Sequence, residues 1–323
     1  MPVASLQELK VVFMGTPAFA VPSLEKLLEQ RVPVVAVVTG EDKRAGRGQQ
    51  LRPSAVKQCA LAHGLTVLQP ARLDDPGLVD SLQRLRADVF VVVAFRILPP
   101  QVFRIPPRGT INIHAALLPK YRGAAPMQWA IINGETETGV TTFLINENVD
   151  AGQVLLQRRT PIGPEETLGE LHDRLSQLGA ELLLETLQQM QQGTLVPQPQ
   201  VGEATPAPKI TDALAEIDWQ RPAVAICNLV RGLSPVPGAF TRWQGKILKI
   251  LRSRVVPARS GDLTPGSVHH VDARSGELLV ATGAGVLAVT ELQLAGRRAM
   301  KTAEFLLGHR LMAGEKLGRT SPP

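Results

Sequence analysis

Long apolar runs are missing from this chain. None of its 323 residues belongs to a stretch near the roughly 18 uninterrupted apolar residues of a membrane helix, so no such span is expected. The opening MPVASLQELK has no basic region followed by an apolar run, so no secretory signal and a cytoplasmic location are expected. Cysteine is scarce: Cys59 and Cys227 lie far apart in no CxxC pattern, which argues against a disulfide scaffold and a structural zinc site. They are expected to be reduced and mostly buried thiols. None of the six histidines stands in HExxH spacing, which argues against a hydrolytic zinc site. GxxxxGK[ST] is absent, and the first glycine turn, Gly15-Thr16-Pro17, lacks GxGxxG, so a P-loop and a nicotinamide cofactor are both disfavoured. No internal repeat or low-complexity tract occurs.

What is present is enough apolar residue for real cores. Hydrophobic residues make up 44% and charged residues 20%, which excludes disorder as the dominant state. At roughly 100–200 residues per domain, the length suits two domains. The net charge of +6 is unevenly placed. Residues 1–200 balance at 19 basic and 19 acidic, whereas residues 201–323 hold 16 basic against 10 acidic. The asymmetry suggests a neutral first domain and a second that meets a polyanion, with an ordinary basic surface as the equal alternative.

Strand and helix signals alternate in the first half. Val11–Met14, Val32–Thr39 and Asp88–Phe95 are unbroken apolar runs, the pattern of strands buried on both faces. Helical stretches open at Pro22-Ser23, at Ser54 and at Asp75-Pro76. Thr110–His114, Val140–Ile145 and Gln153–Arg158 read as further strands. Thr167 and Glu170 form a capping box before a long helix to Gln192. This alternation predicts a doubly wound α/β sheet. The four prolines of residues 194–211 mark a linker or an extended crossing segment. Beyond it, Pro222–Arg231 reads as a helix closed by Gly232, and the remainder reads as strands. Gln244-Gly245 and Gly283-Ala284-Gly285 mark turns between strands, as in a small barrel or meander.

Asn112 and His114 sit two apart at the carboxyl end of a predicted strand and so share a face. Open α/β sheets bind ligands outside such ends. Residues 115–126 read as a loop folded over a pocket. Asp150 lies on the turn Asn148–Gly152 and serves either as a turn residue or as a partner that tunes His114. The segment Asp42–Arg52, with four cations and two glycines, reads as a mobile cationic loop on the same sheet edge.

Together these segments resemble the methionyl-tRNA formyltransferase family, within the folate-dependent formyltransferases, from end to end. Gly15–Leu24 is similar to its GTPxFAVPSL, Ala45–Gly48 to its AGRG insertion, and Asn112–Gln128 to NIHxSLLPxxRGAAPxQ. Asp150-Ala151-Gly152 resembles its DxG; Ala207–Ile210, Ile217–Trp219 and Pro237–Ala239 resemble motifs of its C-terminal domain. The resemblance implies a Rossmann-like formyltransferase domain followed by a small OB-like β-barrel that contacts tRNA. The boundaries are set at residues 1–196, a linker at 197–211, and 212–323. It implies formyl transfer from 10-formyltetrahydrofolate to the amino group of methionyl initiator tRNA, by a monomer, with no metal in the chemistry. The catalytic set falls on Asn112, His114 and Asp150, and the folate contact on Ala116, Leu117, Leu118 and Pro119. The tRNA contact is assigned to Arg44, Arg47, Arg52 and Lys209. Which of His114 and Asp150 is the base stays open.

Three departures stand out. Ala116 replaces the family's serine, Gln49-Gln50 follow the AGRG motif in place of basic residues, and Ala94–Leu98 replaces a tyrosine–glycine version. A formyltransferase for another amine such as an amino sugar nucleotide, a catalytically silent RNA-binding protein, and a hydrolase of the formyl donor are the alternatives.

Overall fold

The computed structural model describes residues 5–45, 50–257 and 264–318. They divide into two compact units. One comprises the described residues up to Pro126 with Thr138–Thr160 and His172–Ala207. The other comprises Met127–Glu137, Pro161–Leu171 and the described residues from Pro208 onward.

The chain begins with β1 (Val11–Gly15), α1 (Val21–Glu29), β2 (Val34–Val38), β3 (Lys43–Ala45), β4 (Gln50–Arg52), α2 (Ala55–Ala62) and β5 (Val67–Leu68). It continues with α3 (Pro76–Arg84), β6 (Val89–Val93), α4 (Pro100–Phe103), β7 (Thr110–His114), α5 (Pro126–Ile132), β8 (Glu137–Leu144), β9 (Val154–Pro161) and α6 (Leu168–Gln192). Among the described residues, the strand order of the first unit's large sheet is β5-β2-β1-β6-β7-β8-β9. β1 pairs in parallel with β2 and β6, β2 with β5, and β6 with β7, while β8 runs antiparallel to β7. The order reverses between β1 and β6, which places the crevice for a ligand beside their carboxyl ends. β1 and β6 are buried along their whole lengths, as their continuous apolar sequences require. Helix starts follow their caps: Ser54 Oγ accepts from Lys57 N at 3.0 Å, and Asp75 Oδ1 from Gly77 N at 2.6 Å. The capping box is present, with Thr167 N donating to Glu170 Oε2 at 2.8 Å.

The second unit adds α7 (Asp212–Ala215), α8 (Ala223–Leu233), β10 (Ala239–Trp243), β11 (Lys246–Val256) and β12 (Val268–Asp272). It ends with β13 (Glu277–Ala281), β14 (Val286–Leu294), β15 (Met300–Lys301) and α9 (Thr302–Gly308). Its antiparallel sheet has the order β10-β11-β14-β13-β12, with β15 beside β14. One core unites Ile226 and Val230 of α8, Leu248 and Ile250 of β11, Leu287 of β14 and Phe305 of α9. Gln244 and Gly245 both take positive φ, 49° and 75°, the geometry of a two-residue turn matched to strand twist.

Four expectations change. Asp42–Arg52 is not simply a loop: Lys43–Ala45 and Gln50–Arg52 pair as an antiparallel hairpin, because extended residues on both sides of the glycines satisfy each other's backbone groups. Gly232 does not close α8 but lies inside it. A Cβ there would sit 2.8 Å from Ile132 Cγ1 and 3.2 Å from Gln128 O, so close helix approach accounts for the glycine. The C-terminal part is not all strand, since α9 buries Phe305 and Leu306 on the sheet's core. Both cysteines are free but half-buried rather than enclosed; burial still pushes the Cys59 thiol up.

Candidate active site

The site grows from the alternation of β7. Ile113 points toward α6, where a Cβ on Gly179 would lie 3.1 Å from Ile113 Cγ2. Asn112 and His114 therefore project from the opposite face. Asn112 is half-buried and lines a cavity of about 380 Å³. The cavity's apolar wall includes Phe95, Leu98, Phe103 and Phe143, and its polar side includes Asp150. It lies wholly within the first unit, on the ends of β6, β7 and β8 and the residues that follow β6 and β8. Arg96 is held at the rim by donating to the Pro70 and Ala71 carbonyls at 2.8 and 2.9 Å, with its guanidinium 5.4 Å from the Phe95 ring centre.

His114 stands behind this cavity, 5% exposed. Its Nε2 lies 2.8 Å from the Tyr121 carbonyl oxygen. A carbonyl only accepts, so Nε2 carries the hydrogen. Nδ1 lies 3.7 Å from Asp150 Oδ2, the same oxygen that accepts from Gly123 N at 2.8 Å. Burial holds the His114 pKa below that of an ordinary histidine, against the opposing pull of the Asp150 carboxylate and the Tyr121 carbonyl. At neutral pH the ring is uncharged and turns its free Nδ1 toward the carboxylate.

The glycines of the motifs have direct geometric reasons. A Cβ on Gly152 would lie 1.6 Å from Leu144 O, and one on Gly123, at φ 123°, would lie 2.7 Å from Ala207 O. Asp150 itself has φ 51°. The turn thus folds against β8 so tightly that only glycine fits two residues after the carboxylate.

The remaining expected site residues are distributed differently. Ala116–Pro119 does not line the cavity. Ala116 is wholly buried, and its carbonyl accepts from Thr141 Oγ1 at 2.6 Å. Leu118 N donates to that hydroxyl at 3.2 Å, and Leu118 O accepts from Gln157 Nε2 at 2.8 Å. Leu117 and Pro119 stay half-buried. Arg44 and Arg52 are exposed on β3 and β4, and Lys209 is exposed in the second unit. Arg47 lies outside the described residues. Sequence reasoning missed Thr141, Gln157 and Gln200, which contact the site's loops through single side chains. A threonine in a strand and glutamines in polar surroundings carry no motif signal.

A formyl transferase profile matches residues 9–187, and a formyl transferase C-terminal domain profile matches residues 209–310. The methionyl-tRNA formyltransferase of Geobacter sulfurreducens is 49% identical over 314 residues, 96% of this chain and 97% of that one. That of Symbiobacterium thermophilum is 49% identical over 318 residues, 98% of this chain and 96% of that one. Among solved structures, the N-formyltransferase from Helicobacter canadensis, in complex with folinic acid and dTDP-3-aminofucose, is similar with a TM-score of 0.66. That match covers 87% of this chain and 98% of the other at 20% identity, a likeness of fold.

Proposed function

The chain belongs to the formyl transferase family, and on that footing we propose that it transfers the formyl group of 10-formyltetrahydrofolate to the amino group of methionyl initiator tRNA. The observation that carries this reading is that Asn112 and Asp150 line one cavity, with His114 beside Asp150. The apolar wall of Phe95, Leu98, Phe103 and Phe143 suits a flat ring system, and the polar side suits the atoms where charge develops.

The amine attacks the formyl carbon as a free base. As the new C–N bond forms, negative charge gathers on the formyl oxygen. The Asn112 amide donates a hydrogen bond there; removing one such donor typically costs about 10²–10³ in rate. The amine must also lose a proton. Asp150 faces the cavity and receives it, directly or through water, while the neutral Nδ1 of His114 lies 3.7 Å behind to share it. Collapse breaks the bond from the formyl carbon to the donor nitrogen, which takes up the proton held by the Asp150–His114 pair, and leaves the amide on the acceptor. Proton transfer by a placed side chain is worth about 10²–10⁴.

In the donor contact, Leu117 and Pro119 take the accessible role, and Ala116 and Leu118 hold the segment through Thr141 and Gln157. Replacing serine by Ala116 leaves these main-chain bonds in place. On the acceptor side, Lys43 and Arg52 face each other across the hairpin register. Like charges so placed repel, and a polyanion relieves the repulsion. Arg44 stands on the same hairpin, Arg47 carries the same role by its sequence motif alone, and Lys209 adds a phosphate contact from the second unit.

The test is to incubate the purified chain with 10-formyltetrahydrofolate and methionine-charged initiator tRNA, with charged elongator tRNA as control. Formylated product on the initiator alone supports the proposal. Folate binding without product moves the acceptor to another amine. Formate release without tRNA makes the protein a hydrolase.

A further inference from the structure

Beyond the catalytic trio, the densest ties to the site come from the extended segment after α6. Gln200 Nε2 donates to the carbonyl oxygens of Asp150 and Gly152, each at 2.9 Å. Gln200 Oε1 accepts from Arg122 Nη2 at 2.6 Å and Nε at 3.2 Å. The amide has one workable orientation, since the two carbonyls only accept and the guanidinium only donates. One side chain therefore joins the turn that carries Asp150 to the turn at residues 121–123.

That second turn matters equally. It supplies the Tyr121 carbonyl that holds His114 Nε2 and the Gly123 N–H that holds Asp150 Oδ2. The same extended segment secures it, with Thr205 Oγ1 accepting from Tyr121 N at 2.9 Å and Thr205 O from Arg122 N at 2.8 Å. Both halves of the catalytic geometry are thus fastened to residues 200–207. Asp150 occupies a left-handed backbone conformation, φ 51°, which persists only where the surroundings over-determine it.

Resting on the formyl transfer proposed above, we propose that Gln200 is a positioning residue for that reaction, setting the place of the Asp150 carboxylate by clamping its turn to the Arg122 turn. It touches neither substrate nor reacting atoms; it acts through Asp150. Glutamine suits the task because its two ends differ. A glutamate would turn acceptors toward two carbonyls, and a methionine of similar length bonds to neither side.

The experiment is steady-state formylation by the full chain, varying charged initiator tRNA and folate donor separately. Gln200→Met and Gln200→Glu are each expected to lower kcat on the order of 10–100-fold, the cost of a small misplacement, with both KM values within about twofold of the unchanged protein. In an Asp150→Asn background, Gln200→Met is expected to leave the residual single-turnover rate unchanged, because no carboxylate remains to be placed. An unchanged kcat, a rise in KM alone, or losses that multiply in the double variant overturns the inference. If Gln200→Met fails to fold, Gln200→Glu, which keeps the bonds from Arg122, carries the test by the same criteria. An unmodified chain that formylates no tRNA brings down the proposed function, and this inference with it. An active chain with indifferent Gln200 variants brings down this inference alone.

Discussion

At the scale of single residues, the site is a matter of burial and hydrogen direction. Asn112→Ala, His114→Ala and Asp150→Ala are each expected to lower formylation kcat by two or more orders of magnitude, with far-ultraviolet circular dichroism unchanged. A near-normal rate for His114→Ala removes its assigned role. The buried ring also leaves a mark on stability. Its folded pKa lies below the ordinary value of about 6.5, so the unfolded chain takes up the proton first. The stabilisation is complete above about pH 6.5 and is lost as pH falls below that value toward the folded pKa. Urea unfolding at pH 5.5 and 7.5 is expected to show a larger acid loss in the unchanged protein than in His114→Gln. Gly152 tests packing at the same scale. With a Cβ 1.6 Å from Leu144 O, Gly152→Ala is expected to cost at least about 2–3 kcal/mol in unfolding free energy and most of the activity.

At the scale of elements, patterns repeating along the chain were legible, and close approaches were not. The runs at Val11–Met14 and Asp88–Phe95 mark buried strands, the second realised as Val89–Val93, because covering both faces removes the need for polar alternation. The capping box marked the start of α6 because its two side chains answer each other locally. Gly232 misled for the opposite reason. Glycine past a helix end and glycine at a helix crossing look alike in one dimension, and only the nearness of Ile132 separates them. That contest has a measurable outcome. Propensity alone favours Gly232→Ala by about 1 kcal/mol. The 2.8 Å approach to Ile132 Cγ1 opposes it, and packing is expected to win, so thermal unfolding should show a lower midpoint for Gly232→Ala. The β3–β4 hairpin is not legible in the sequence, because strands of three residues fall below any periodicity.

At the scale of the whole molecule, charge is the quantity that counts. Residues 201–323 carry the net +6 along the chain, but the folded units share it: the first holds 19 basic against 15 acidic residues and the second 16 against 14, with Lys43, Arg44 and Arg52 on one hairpin of the first. Binding of initiator tRNA is expected to weaken steeply between about 50 and 200 mM salt, while folate binding stays nearly constant. Arg44→Ala is expected to raise the tRNA KM several-fold with the folate KM unchanged, read from initial rates. An equal rise in both assigns the hairpin to the folate cavity instead. The expected linker, residues 197–211, also takes its character only at this scale. Val154 and Gln198 bond reciprocally, Arg122 N donates to Thr205 O and Ala207 N to Arg122 O, so most of the segment belongs to the first unit's fabric.

By itself, the order of amino acids determined the strand–helix alternation, the antiparallel C-terminal strands, the balance of charge and the presence of Asn112, His114 and Asp150 in motifs of one family. Those features depend on spacing along the chain, and spacing survives without coordinates. Tertiary structure alone decided that His114 is buried and neutral, that Asn112 and Asp150 face the cavity, and that Gln200 reaches 50 residues back to the Asp150 carbonyl. Desolvation and hydrogen-bond direction depend on what lies nearby in space, and chain order sets that only after folding brings distant segments together.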